Sequence, residues 1–287
     1  MRPFDPRVTP ARADLAAKEL HGKVKAPRYV EGSVYEVVAP QAPLRAEPRP
    51  DALLSTEALR GERVTVYDTS AEGWAWGQLA ADGYVGWLAT SALAPPGPPP
   101  THKVAALRTL VFPGPSIKLP PLEALPFGAQ LNIAETKDQM AVTPERGYVP
   151  AVHLAPVGRH ERDFIAVADR FVGAPYLWGG KTVFGVDCSG LLQVALTACG
   201  VVCPRDSDMQ EEAVGAAITV DAELSGLQRG DLIFWKDHVA IIRDRASLIH
   251  ANAFHMAVAI EPIGGAVERI RAGGIEISSI RRLPSSP

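Results

Sequence analysis

Residues 175–190 read PYLWGGKTVFGVDCSG, and the apolar run LLQVALTAC follows at once. Glycine-rich turn chemistry leads straight into an apolar run, so a loop becomes a helix at about Cys188. Leu191, Ala195, Ala198 and Cys199 share one helical face, and Gly200 marks the end of the helix. A helix with that face must be buried, so the rest of a domain has to be built over it. Its N-terminal turn offers unpaired N–H groups and a partial positive charge, both of which favour a thiolate at Cys188. A cysteine in that position is a candidate nucleophile.

At 287 residues the chain has room for two or three domains. Apolar residues make up 47% and charged residues 21%, which excludes a disordered chain. The net charge is −3 with no basic run, so no nucleic-acid partner is expected. The first residues, MRPFDPRVTPARADLAAKELHGKV, carry scattered charges and no apolar signal core. No stretch approaches the roughly 20 apolar residues that span a bilayer, so no membrane partner is expected. The three cysteines all fall between 188 and 203, which suits a reducing interior and predicts a cytoplasmic protein.

Residues 1–28 read as a helical appendage. Thr9 can cap a helix over 9–21, Pro10 suits its first position and Gly22 can stop it. From 29 to 94 the texture changes to short alternating runs: 34–38, 63–67, 74–79 and 84–88. Gly61, Gly73 and Asp82-Gly83 separate them. Period-two alternation with close turns predicts a small antiparallel β-barrel. Residues 94–100, APPGPPP, read as a stiff spacer. Residues 101–157 repeat the pattern more faintly, with strands expected at 107–112, 130–134 and 147–150. A helix is expected over 160–172, with Phe164, Ala168, Phe171 and Val172 on one stripe.

A thiol nucleophile needs a base within reach. Residues 230–242, GDLIFWKDHVAII, read as strand, turn and a second strand starting at His238, and SLIHAN at 247–252 supplies a third. His238 and His250 are equidistant from Asp244. A hairpin symmetric about Asp244 makes them cross-strand neighbours on one face. His238 would then face Cys188 as base, and His250 would orient His238. His255 is the alternative orienter, but it fits the hairpin less well. Cys199 and Cys203 lack a matching second ligand pair and read as packing residues, so neither a metal nor a cofactor is expected.

Asp187-Cys188-Ser189-Gly190 opening a helix, GDLIFW before His238, Ile249-His250, PYLWGG at 175–180 and Pro204-Arg205-Asp206-Ser207 together resemble the NlpC/P60 family of cysteine peptidases. Leu44-Arg45, Gly61-Glu62-Arg63-Val64, Gly73-Trp74 and Asp82-Gly83-Tyr84-Val85-Gly86-Trp87 resemble a bacterial SH3 domain. The fold class implied is multidomain: one or two small SH3-like β-barrels, at 29–94 and in degenerate form at 101–157, then an α+β papain-like catalytic domain at 160–287. The whole resembles γ-D-glutamyl-L-diamino acid endopeptidases. That resemblance implies hydrolysis of murein peptides such as L-Ala-γ-D-Glu-diaminopimelate, in peptidoglycan recycling. It also implies a first SH3 domain that lies against the cleft and helps demand a free N-terminal L-alanine. Tyr84, with Glu47 as companion, is the carrier expected by position. Asp187 and Ser189 match positions that contact the substrate's N-terminal end, Ser207 one that holds the D-glutamate carboxylate, and Tyr176 a tyrosine beside the oxyanion. The other readings are a thiol amidase or acyltransferase on another substrate, and a non-enzymatic cell-wall binding protein.

Overall fold

The computed structural model describes residues 4–221 and 223–284. They fall into two compact units, Met1–Arg159 and His160–Pro287.

In the first unit, β1 (Ser33–Val37), β2 (Gln41–Arg45), β3 (Leu54–Leu59), β4 (Arg63–Thr69), β5 (Trp74–Leu79), β6 (Val85–Ala89) and β7 (Leu93–Ala94) form one sheet. The strand order is β3-β2-β6-β5-β4-β1-β7. Strands β2 and β3 went unread in the sequence; in β3 the alternation is hidden because the polar Thr56 and Glu57 are both buried. The Gly86-Trp87 step is explained by close packing. A Cβ on Gly86 would lie 2.8 Å from the Arg45 carbonyl oxygen, where β2 meets β6. Tyr84 is a member of the barrel core with Leu44, Leu79 and Leu88, at 7% exposure. Only an edge of that side chain can meet a ligand. Glu47 is exposed and paired with Arg49 at 3.0 Å.

The expected helix over 9–21 is replaced by a two-residue strand, Ala16–Ala17, and one 3-10 turn, Lys18–Leu20. Leu15, Ala16 and Ala17 are buried in succession, with Leu20, against Tyr67 and Trp76. Three consecutive inward residues do not fit a helical stripe. Arg12 stacks 4.9 Å from the Trp76 and Trp87 rings and pairs with Asp68. The segment is therefore part of the barrel's packing and not a surface appendage.

The proline-rich stretch is pinned as well. Gly97 N–H donates to Glu36 Oε2 at 2.9 Å, and Arg63 donates to the Gly97 carbonyl at 2.7 Å. Beyond it, short strands between His102 and Pro156 make three small sheets. Val104, Val111, Leu125, Ala129, Leu131 and Val149 form their core. The expected strands appear there in shortened form, at Arg108–Val111, Gln130–Leu131 and Tyr148–Pro150. An Arg60–Glu123 ion pair of 2.6 Å ties this module to the first barrel.

The second unit opens with α1 (Phe164–Asp169), shorter than the expected 160–172. Asp163 sets its start by accepting from the N–H groups of Ile165 and Ala166, at 3.0 and 3.2 Å. Gly173, at φ 86°, ends the turn that follows. Val172, placed on the buried stripe in the sequence reading, is 48% exposed; Ile165 and Val167 are buried instead. Then come α2 (Cys188–Ala198), α3 (Ser207–Ala213), β8 (Ala216–Ile218), β9 (Leu232–Trp235), β10 (His238–Ile242), β11 (Ser247–Asn252), β12 (Ala257–Pro262), α4 (Ile263–Ala272) and β13 (Ile277–Arg282). The antiparallel sheet runs β8-β13-β9-β10-β11-β12. Helix α4 packs Ala266 and Val267 onto Ile233, Trp235, Ala240, Ile242 and Leu248. Helix α2 packs against α1, β10 and β11.

Candidate active site

The loop before α2 is sewn down by backbone bonds. Tyr176 N–H donates to the Met256 carbonyl at 2.9 Å, Val186 N–H to the Pro175 carbonyl at 3.0 Å, and Asp187 N–H to the Gly180 carbonyl at 3.2 Å. Gly190 has no room for a side chain, because a Cβ there would lie 2.3 Å from the Gly180 carbonyl oxygen. The glycine of the Asp-Cys-Ser-Gly run thus lets the loop close over the first turn of α2.

Asp187 is the N-cap of α2. Its Oδ1 accepts from Gly190 N–H at 2.7 Å, from Arg205 at 2.9 Å and from Ser189 Oγ at 3.3 Å. Its Oδ2 accepts from Gly179 N–H at 2.7 Å and Arg205 at 2.8 Å. Five donors saturate a carboxylate with about four lone-pair sites. Arg205, only 1% exposed, also donates to Ser189 Oγ and the Gly180 carbonyl. Asp187 and Ser189, expected at the substrate's N-terminal end, therefore spend their polar atoms on the loop–helix joint. A substrate ammonium would have to share Asp187 with Arg205. Arg205 had been read only as part of a motif block, since its burial against Asp187 is not visible in the sequence. Ser207 is half-buried at the first position of α3, behind the Asp206 cap.

Cys188 occupies the first position of α2, as expected, and its side chain is buried. Sγ lies 4.0 Å from the Asp237 carbonyl oxygen and close to the Val239 N–H, the backbone groups on either side of His238. Thiol and imidazole are not hydrogen-bonded to each other. Burial, with Asp187 nearby, pushes the thiol up to about 12 against the pull of the Val239 and Ser189 N–H groups. Burial also pulls His238 down to about 3, helped by His250. A helix N-terminus is worth about 1 kcal/mol, whereas full burial can move a group by about 3–5 pKa units. Burial outweighs the helix end and favours the neutral forms of both groups. Burial therefore opposes the thiolate that the helix end is expected to favour. Tyr176 is half-buried; burial first, then the neighbouring Cys188 and Asp187, hold its hydroxyl protonated.

The two-residue loop Lys236-Asp237 joins β9 to β10 and sets His238 opposite Trp235, with Asp237 at φ 62°. The rings of Trp235 and His238 lie 5.6 Å apart. The β10–β11 register pairs Ile241 with Ile249 and Ile242 with Leu248. Ile241 and Ile249 are each four residues from Arg245, so the hairpin is centred there and not on Asp244. The cause is Asp244 itself. Its carboxylate accepts from Ala246 N–H, Ser247 N–H and Ser247 Oγ at 2.7–2.9 Å, so it starts the turn and cannot be its apex. The histidines become diagonal neighbours instead of directly opposed ones. A two-residue displacement keeps them on one face. His238 Nε2 meets His250 Nδ1 at 2.8 Å.

His250, 1% exposed, reaches onward: its Nε2 lies 2.7 Å from Glu261 Oε1 on β12. Arg269 of α4 donates to the same oxygen at 2.6 Å. Burial would raise the Glu261 carboxyl, but His250 and Arg269 hold it below its usual value. The sequence reading missed both residues. Glu261 lies two positions beyond Ala259, the residue paired with His250, and that register is visible only in the fold. His255 is exposed, bonded to Asn252, and does not contact His238. No disulfide joins Cys188, Cys199 or Cys203. Among the described residues no acidic, histidine or cysteine cluster could hold a metal ion, and no helix is long and apolar enough to cross a membrane.

Comparison with known proteins agrees with this architecture. Residues 44–93 match the bacterial dipeptidyl-peptidase SH3 domain, and residues 173–269 match the NlpC/P60 family. Dipeptidyl-peptidase 6 of Lysinibacillus sphaericus is 33% identical over 129 residues, covering 42% of this chain and 46% of that one. The γ-D-glutamyl-L-lysine dipeptidyl-peptidase of Bacillus subtilis is 30% identical over 205 residues, 64% of this chain and 65% of that one. The chain spans less than two thirds of the length of these relatives. In fold it is similar to an NlpC/P60 family protein from Bacillus cereus, with a TM-score of 0.72 at 24% identity, over 88% of this chain and 100% of that one. With a cysteine-bearing helix packed on a histidine-bearing sheet behind it in the sequence, the chain carries a bacterial SH3 domain over 44–93 and an NlpC/P60 domain over 173–269.

Proposed function

We propose that this chain is a cysteine peptidase that cleaves the γ-D-glutamyl–diamino acid bond of cell-wall peptides bearing a free N-terminal L-alanine. The observation that carries the reading is the 2.8 Å bond from His238 Nε2 to His250 Nδ1, with Cys188 Sγ against the backbone flanking His238. The names of the matched relatives supply the bond.

His238 Nε2 is engaged by His250, so Nδ1 is the nitrogen available to the thiol. Sγ turns toward that nitrogen, gives up its proton and attacks the γ-carbonyl carbon in one step, as two neutral groups require. The tetrahedral oxyanion is met by the Cys188 N–H, which has no intrahelical partner, and by the protonated Tyr176 hydroxyl. As the C–N bond breaks, the imidazolium returns its proton to the leaving amine. Water then attacks the thioester by the same base.

Tyr84 and Glu47 are proposed as carriers of the amine requirement, and Ser207 as the donor for the glutamate α-carboxylate. Three cysteines confined to 188–203 cannot staple the chain, which favours a reducing, cytoplasmic setting and a role in recycling murein peptides. Mass spectrometry of products from L-Ala-γ-D-Glu-diaminopimelate and its N-acetylated form tests the reading. Release of L-Ala-D-Glu from the free peptide alone is expected. Equal rates on both forms would remove the amine requirement, and cleavage at another bond would remove the proposed specificity.

A further inference from the structure

The 2.8 Å contact between His238 Nε2 and His250 Nδ1 needs one proton, and either ring could supply it. His238 can act as base toward Cys188 only if Nδ1 is bare, which requires its proton on Nε2. That proton must be donated to His250 Nδ1, which must then be bare, so His250 carries its own proton on Nε2. Nothing in the two histidines alone enforces this order, because the reversed chain of tautomers makes an equally good histidine–histidine bond. In the reversed order His238 presents a proton to the thiol and cannot act as a base.

We propose that Glu261, fixed by Arg269, sets the direction of this chain and is a positioning residue for the Cys188–His238–His250 site. Its carboxylate only accepts, so His250 must donate from Nε2 across the 2.7 Å contact. The Arg269 bond of 2.6 Å to the same oxygen keeps Glu261 ionised and oriented. Arg269 is itself held, stacked 4.3 Å from the Phe254 ring. Glu261 lies diagonally from His250 across the β11–β12 pair, in which His250 faces Ala259. When the thiol proton arrives on His238, the carboxylate also stabilises the resulting imidazolium through His250. The charged and titratable groups around His250 are His238 on β10, Glu261 on β12, Arg269 on α4 and His255 in the β11–β12 turn. Of these only Glu261 favours a positive charge there.

This rests on the peptidase reading for its kinetic test but not for its spectroscopic one. Nitrogen-15 spectra of the imidazoles in the full chain should show His250 as the Nε2–H tautomer. In E261Q, whose amide can both donate and accept, the tautomers should mix. In steady-state assays E261Q should lower kcat about 10- to 100-fold with little change in KM, and should move the acid limb of kcat/KM to lower pH. Unchanged tautomers in both E261Q and E261A would overturn the proposal, whatever happens to activity. So would a loss of rate that only follows loss of folded protein with the tautomer retained. If the wild-type chain cleaves none of the murein peptides while the tautomers behave as described, the peptidase reading fails and the directional role of Glu261 stands.

Discussion

At the scale of single residues, the site joins a buried thiol to a buried imidazole, and burial sets both states. Alkylation of Cys188 by iodoacetamide should therefore be slow near pH 6, no faster than an ordinary thiol, and rise only in alkaline solution. A fast plateau extending down to pH 5 would show a preformed thiolate–imidazolium pair and contradict the neutral one. The histidines also couple folding to pH. His238 and His250 both have folded-state values below the ordinary 6.5. Below that value the unfolded chain binds protons that the folded chain refuses. Their contribution therefore lowers stability as pH falls from about 6.5 toward about 3 and is absent above that window. Denaturant titrations of H250Q should show a shallower loss between pH 6.5 and 4 than the parent; an identical slope would mean His250 titrates normally in the fold.

At the scale of elements, the joint between the glycine loop and α2 concentrates the risk. Asp187→Ala removes the helix cap and strands the Arg205 guanidinium, so unfolding should become easier by about 3–5 kcal/mol. A loss below about 1 kcal/mol would mean that Arg205 finds another partner. Much of this architecture was legible in advance. Cys188 at a helix start, His238 at a strand start after a two-residue turn, and the runs of β4, β5 and β6 all follow from local pattern. What was not legible depends on tertiary partners. Asp244 moved the hairpin apex by capturing Ser247, and the N-terminal segment exchanged a helix for packing on Tyr67 and Trp76. Buried Glu57 hid β3, and Glu261 joined the site across a strand pair that sequence spacing does not reveal.

At the scale of the whole molecule, Cys188, His238 and His250 all lie in the second unit, and the choice of peptide is tested by substrate rather than by fold. Cys188→Ala should leave the melting temperature within a few degrees of the parent, since the change is small and the Asp187–Arg205 joint stays intact. The central claim is that Cys188 carries the acyl group through the reaction. Intact-protein mass spectrometry after rapid acid quench with L-Ala-γ-D-Glu-diaminopimelate tests it most directly. The account predicts an L-Ala-γ-D-Glu adduct on Cys188 in the parent chain, free diaminopimelate in solution, and neither in Cys188→Ala. Diaminopimelate release by Cys188→Ala at the parental rate would contradict it.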